Sequence, residues 1–254
     1  MQEEDSPLNQ ITLELQGDAR LPIYQRLAES LKSTIVNQKW RPGDRLPSEK
    51  ELAAQYNVAP GTARQAISLL TVEGILVRRH GSGTFVRKPT FDASLFRFFR
   101  FQDKEGEREI PESRILSREV IAAPSVVSKA LDLKPESPVI SISRLRLLSG
   151  EPVIAEEVWL DHARFEAFMI MDEDDIGPLL YPVYDSHFDQ IVASAKECLT
   201  VEVAGSSYSH LLHITPATPV IVIERLALGF DGKPIEWRRS RGRADRFQYH
   251  IEIH

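Results

Sequence analysis

Two stretches of this chain space charged side chains in ways that suit chemistry. Arg144 and Arg146 sit two apart inside the apolar run 139–148. On an extended strand, residues two apart share a face, so both guanidinium groups would point the same way. Glu156 and Glu157 follow the turn-forming Gly150, and Glu236 precedes a basic run of Arg238, Arg239, Arg241, Arg243 and Arg246. Two arginines on one face can grip an anion through paired N–H donors, while a nearby carboxylate takes a hydroxyl or amine of the same molecule. The same residues can equally form a plain cross-strand ion pair, Arg144 or Arg146 with Glu156.

The second stretch suits nucleic acid. Pro60 opens a helix-like segment whose first turns carry Thr62, Arg64 and Gln65. Arginine pairs in a bidentate way with guanine and glutamine with adenine. Arg45 and Lys50 can take phosphates. His80 and Gly81 form a turn tip where glycine lets backbone approach closely, with Arg78, Arg79 and Arg87 supplying positive charge along it. Taken singly, Arg64 is an ordinary solvated helix residue and Gly81 a turn residue; order and spacing make the case.

The elements that must position these groups follow from local signals. Apolar residues Ile23, Leu27, Leu31 and Ile35 recur every four positions and predict a helix over 21–37. Ser48 with Glu51 three residues later forms a capping box for a second helix ending near Tyr56. Pro60 fits the first position of a third helix, with Ala63, Ala66, Ile67 and Leu70 on its apolar side. Segments 75–79 and 83–87 then read as a short hairpin. Helix, capped helix, tight turn, helix and basic hairpin describe a winged helix-turn-helix over 21–87, after an acidic leader of residues 1–20. A linker is expected over 88–94. Beyond it, Val- and Ile-rich segments at 113–121, 139–148, 153–160, 191–203, 220–230, 235–241 and 247–253 predict strands. Short helices are expected at 124–132, 161–169, 178–186 and 204–213. The phrases Ser149-Gly150-Glu151-Pro152 and Asp231-Gly232-Lys233-Pro234 are near-identical turns and hint at a duplicated hairpin. Fold class is therefore α+β around an antiparallel sheet, over 95–252.

Charge supports the division. The net charge of −6 argues against nucleic acid, yet residues 20–88 carry 12 basic and 5 acidic residues while 89–254 carry 19 and 27. A basic module joined to an acidic body is the footprint of a DNA reader attached to something else. No apolar run approaches the roughly 20 residues of a membrane span, and the acidic start is not a secretory signal. The single Cys198 excludes an internal disulfide and is expected to be buried and inert. A cytoplasmic location fits. The seven histidines, among them His187, His210 and His213, show no metal-ligand spacing. HExxH, GxSxG and P-loop motifs are absent, so neither metal nor cofactor is expected.

Residues 46–53, 61–66 and 73–86 resemble the winged helix of the GntR family of transcription regulators almost without gaps. The resemblance implies DNA contacts at Lys50, Thr62, Arg64, His80 and Gly81. The phrases 144–146, 150–152 with Glu156, 234–237 and 243–247 resemble the UTRA effector domain of the HutC subfamily. That domain implies a fold similar to chorismate lyase, a homodimer on a palindromic operator, and a small-molecule site at Arg144, Arg146, Glu156 and Glu236. Arg97 and Arg241 are further candidate ligands for an anion. Two departures weigh against an amino-sugar phosphate. The segment 94–101 lacks the family's phosphate-holding phrase, and Gly242 stands where a ligand-facing Tyr is usual. The expected function is a repressor released by a small anionic metabolite. The competing readings are a lyase-like enzyme with an appended winged helix, and an architectural DNA binder without a ligand.

Overall fold

A computed structural model describes residues 14–16, 18–88 and 111–247. They fall into two compact units, divided after Lys88.

In the first unit, α1 (Ile23–Val36) packs Leu27, Leu31 and Ile35 inward, all fully buried. Ile23, expected on the same stripe, lies in the first turn and is 53% exposed. α2 (Glu49–Gln55) starts on the anticipated capping box: the Glu51 amide donates to Ser48 Oγ (3.3 Å) and the Ser48 amide to Glu51 Oε2 (2.7 Å). α3 (Pro60–Val72) places Pro60 at its start, where a missing N–H costs nothing. It buries Ala63, Ala66, Ile67 and Leu70. The wing is β1 (Leu76–Arg79) paired antiparallel with β2 (Gly83–Val86). Gly83 has φ +117°, a backbone conformation in which any other residue would be strained.

The second unit is a six-stranded antiparallel sheet ordered β3-β4-β5-β8-β7-β6. Its strands are β3 (Glu112–Ala122), β4 (Pro138–Leu148), β5 (Glu151–Asp161), β6 (Ser194–Val203), β7 (Pro219–Leu228) and β8 (Pro234–Arg243). Six of the seven expected strands appear, two of them shortened: residues 191–193 precede β6 and 229–230 follow β7 rather than joining them. Of the seventh, 248–253 lies outside the described residues. α4 (Ser125–Ala130) follows β3 and α8 (Gly205–Leu212) follows β6. Both lie on the back of the sheet. There Leu212 packs with Leu145, Val220 and Val222. Val127 and Leu131 pack beside Trp159 and Trp237, whose rings stack at 4.8 Å. Helices α5 (His162–Phe165), α6 (Glu173–Ile176) and α7 (Leu180–Phe188) cover the front. With the 3-10 turn Glu166–Ile170 they bury Phe165, Phe168, Leu180 and Tyr184 against Ile140, Ile142, Val158 and Leu160.

The duplicated turn belongs to a larger repeat. Strand, helix, strand, turn, strand runs once as β3-α4-β4-β5 and again as β6-α8-β7-β8, and the two copies meet where β5 pairs with β8. The segments 131–147 and 212–228 share Leu131/Leu212, Pro135/Pro216, Pro138/Pro219, Val139/Val220 and Arg144/Arg225. Their backbones agree too. Asp132 (φ +55°) and His213 (φ +54°) both end their helices in the left-handed region. Ala123 and Ala204 amides donate to the Ser137 and Thr218 carbonyls at 2.9 and 3.0 Å.

That left-handed conformation brings Cβ too close to the next carbonyl and costs roughly 1–2 kcal/mol in most residues other than glycine, less in Asn or Asp. Both side chains are exposed, so little packing offsets it. His213→Gly and Asp132→Gly should each raise stability by about 1 kcal/mol, read as a higher urea midpoint with unchanged slope. A lowered midpoint would mean the native side chains hold these turns.

Candidate functional site

At the reading end of the first unit, Arg45, Lys50, Arg64, Gln65, Arg79, His80 and Gly81 are all exposed, as is the cap Ser48; Thr62 is half-buried. Arg64 Nε donates to Glu49 Oε2 (2.8 Å), and Arg78 Nη2 reaches Glu49 Oε1 (3.4 Å) and Ser68 Oγ (3.2 Å). Glu49 thus ties α2, α3 and the wing together through two arginines. It stood in the sequence only as an acidic first-turn residue, and its partners are 15 and 29 positions away. Arg79 lies over the Phe85 ring, 4.7 Å from its centre, and Arg45 bridges to Phe85.

In the second unit, the centre of the sheet front carries a sealed polar cluster. Arg144 faces Glu156 in the β4–β5 register, and Arg238 lies beside them on β8. Arg144 Nε donates to Glu156 Oε2 at 2.6 Å, with both side chains at most 1% exposed. Ser240 Oγ donates to Glu156 Oε1 (3.0 Å), and Arg238 Nη1 lies 3.5 Å from that oxygen. Glu236 is held on both oxygens. Oε1 accepts from Arg238 Nε (3.0 Å) and Tyr181 (3.3 Å); Oε2 accepts from Arg238 Nη2 (2.7 Å) and Tyr184 (2.7 Å). Arg225 completes the row through Glu197 at 2.5 Å.

Arg146 differs from its neighbours. It is fully buried, and Nη1 donates to the Pro178 carbonyl. Among the described residues it makes no ion pair, and its Nε and Nη2 have no hydrogen-bond partner, nor does Nη1 of Arg144. Burial, with the repulsion of Arg144 and Arg238 added, pulls the Arg146 guanidinium down to about 10 despite Glu156. Burial would raise Glu156, but Arg144, Arg238 and Arg146 outweigh it and hold the carboxyl well below the usual range. Burial and then Glu236 push Tyr181 up to about 12 and Tyr184 well above its ordinary value, so both remain hydrogen-bond donors.

The structure therefore brings Arg144, Arg146, Glu156 and Glu236 together, and does not bring Arg241. One position along from Ser240, Arg241 points to the back of the sheet. There it pairs with Glu157 (2.7 Å) and lies 3.9 Å from the Tyr208 ring centre. Arg97 lies outside the described residues. Cys198, expected to be buried, is exposed because β6 is an edge strand. Arg238, Tyr181, Tyr184 and Ser240 were missed. The spacing Glu236, Arg238, Ser240 put all three on one face and was readable; the tyrosines arrive from α7, more than 50 residues away.

A winged helix with an exposed basic reading face, joined to a sheet domain whose buried arginines keep N–H groups without partners, defines a DNA-binding regulator with a ligand-sensing domain. Residues 23–86 match the family of bacterial regulatory proteins termed gntR, and residues 107–248 match the UTRA domain. The chain belongs to the GntR family, with a UTRA domain as its second unit. It is 30% identical over 230 residues to the HTH-type transcriptional repressor NagR of Bacillus subtilis, covering 90% of this chain and 93% of that one. It is 25% identical to the mannosyl-D-glycerate transport/metabolism system repressor MngR of Escherichia coli, covering 90% and 94%. The crystal structure of PhnF from Mycobacterium smegmatis shares the fold, with a TM-score of 0.54 at 23% identity over 90% of this chain and 99% of that one. GntR regulators bind DNA operators and UTRA domains bind small-molecule effectors, so the lyase-like reading is set aside. No helix of the described residues is long and apolar enough to cross a membrane.

The depressed Glu156 carboxyl has a stability consequence with a definite sign. Its charged form stabilises the fold above the unfolded value near 4.3, and that stabilisation is lost as pH falls toward the folded value. Glu156→Gln should cost on the order of 3–5 kcal/mol at pH 7, because it strands Arg144 without its counter-ion. The deficit should shrink as pH drops below about 4. Arg146→Met should do the reverse and raise the melting temperature of the ligand-free protein, because it removes a buried charge without a counter-ion. Urea titrations at pH 7 and pH 3 test the first, and calorimetry the second.

Proposed function

We propose that this chain is a homodimeric transcriptional repressor that leaves a palindromic operator when a small anion docks on Arg144 and Arg146. The observation that carries the reading is the Arg146 guanidinium: buried, without an ion pair among the described residues, and with two N–H groups on one edge unsatisfied. Buried donors are nearly always paired, and a bound anion would supply the acceptors that these donors lack. NagR and MngR, both named as repressors, support the direction of regulation. In this reading Glu156 and Glu236 act by aiming guanidinium groups rather than by touching the ligand.

On the DNA side, Thr62, Arg64 and Gln65 meet base edges, and Arg45, Lys50, Arg79, His80 and Gly81 meet the backbone, with Ser48 setting the start of α2. Arg64 exchanges Glu49 for a base. Each protomer supplies one winged helix, so the two-fold of the protein matches that of the operator. Genomic DNA lies in the cytoplasm, and the repressor acts there.

Arg64→Ala should weaken operator binding by roughly 1–3 kcal/mol and relax base preference at one position per half-site. Lys50→Ala should instead lower affinity for all sequences and flatten the salt dependence. Fluorescence anisotropy on operator and scrambled duplexes separates the two. Unchanged base preference in Arg64→Ala would remove Arg64 from the readout. Effector release should change DNA affinity by roughly 5- to 150-fold and vanish in Arg146→Met. A monomer by sedimentation equilibrium, with and without DNA, would overturn the dimer.

A further inference from the structure

We infer that the effector enters this site through a carboxylate head bearing one negative charge, and that the site rejects dianionic phosphate monoesters. The inference rests on the reading of Arg144 and Arg146 as the anion site, and adds the charge and shape of what they take.

Three observations lead to it. The first is which hydrogen-bonding capacity remains. Both oxygens of Glu236 accept from two protein donors each. Glu156 is held by Arg144, Ser240 and Arg238. Within the cluster, the atoms with no partner are all donors: Arg146 Nε and Nη2, and Arg144 Nη1. Asp185 Oδ1 on α7 is also buried without a partner, but Asp185 is not one of the residues holding Glu156 or Glu236. The cluster's vacancies therefore call for an acceptor; a hydroxyl or amine finds no free acceptor on Glu236 without breaking a bond already made.

The second is shape. Nε and Nη2 share one edge of the guanidinium plane and donate in parallel. Arg238 uses that same edge to hold the planar carboxylate of Glu236, at 3.0 and 2.7 Å. A carboxylate fits this fork oxygen for nitrogen, and the free Arg144 Nη1 adds a further donor. The cluster thus already contains, in the Arg238–Glu236 pair, an example of the contact that Arg146 lacks.

The third is charge. Among the described residues, four guanidiniums, Arg144, Arg146, Arg225 and Arg238, stand against three carboxylates, Glu156, Glu197 and Glu236. One positive charge is left over, and it sits on the residue with the unpartnered edge. A monoanion brings the cluster to neutrality. A dianion would leave a net negative charge among side chains sealed from water, where an uncompensated charge costs several kcal/mol. Arg238 sets the count: without it the cluster is already neutral before any ligand arrives. It is a specificity-determining residue that need not touch the ligand.

The test uses the full-length protein at pH 8 in low-chloride buffer, where a phosphate monoester carries close to two charges. The melting temperature is followed against acetate, glycolate and benzoate, and separately against inorganic phosphate and methyl phosphate. At least one carboxylate should raise the midpoint saturably, at a concentration tenfold or more below that at which either phosphate acts. Arg146→Gln should abolish the rise, and Arg238→Gln should weaken carboxylate binding by tenfold or more. Phosphates that act at equal or lower concentration than the carboxylates, with the effect lost in Arg146→Gln, would overturn the single-charge inference while leaving the anion site standing. No response to either class, or a response unchanged in Arg146→Gln, would overturn the anion site itself. The wild-type comparison decides between the two classes of anion even where a variant fails to fold.

Discussion

The interaction on which the second unit depends is the grip of three side chains on Glu156. A bare carboxylate in the middle of a covered sheet would be prohibitively costly to bury. Arg144 from β4, with Arg238 and Ser240 from β8, makes it tolerable. Because the partners come from strands on both sides of β5, the carboxylate joins the two halves of the sheet at their seam. Removing any one partner weakens the hold on the rest, which is why the cluster must be treated as a unit.

From that seam the network reaches into the helical cover. Tyr181 and Tyr184 of α7 donate to Glu236, and the Pro178 carbonyl just before α7 receives Arg146. The helix is therefore positioned as much by polar contacts on the sheet as by Leu180 and Val183 packing beside Phe165 and Phe168. An anion arriving at Arg146 would meet a guanidinium whose third nitrogen already holds the approach to α7. Ligand occupancy and the seating of that helix share one side chain, and a switch requires such a shared element.

Most of the fold was legible because it is written in short-range chemistry. Ser48 with Glu51, Pro60, and the glycines of the wing each act within a few residues, and each stands where its chemistry requires. The opposition of Arg144 and Glu156 was legible because strand alternation and one turn fix it. What escaped reading depends on distance or on context. The arginines from 238 onward look like a solvated basic run, yet alternation sends Arg238 to the sealed front and Arg241 to the back beside Glu157. Nothing local marks β6 as an edge strand, so Cys198 was placed inside when it is exposed. Tyr181 and Tyr184 reach Glu236 across more than 50 residues, and Glu49 finds Arg78 across 29; such pairings exist only once the chain has folded.

The repeat within the sheet has a consequence for stoichiometry. Two like halves related across the β5–β8 seam would, if identical, present two like pockets and set like charges against each other where they meet. The chain has departed from that symmetry at two places. Counted from the shared turn, Glu156 corresponds to Arg238, so equivalent positions now carry opposite charges and attract. Arg144 has its counterpart in Arg225, but Arg146 corresponds to Ala227, which is small, apolar and buried. The guanidinium with the vacant edge therefore has no twin. On the proposed reading, divergence between the copies leaves one guanidinium for one equivalent of anion per chain.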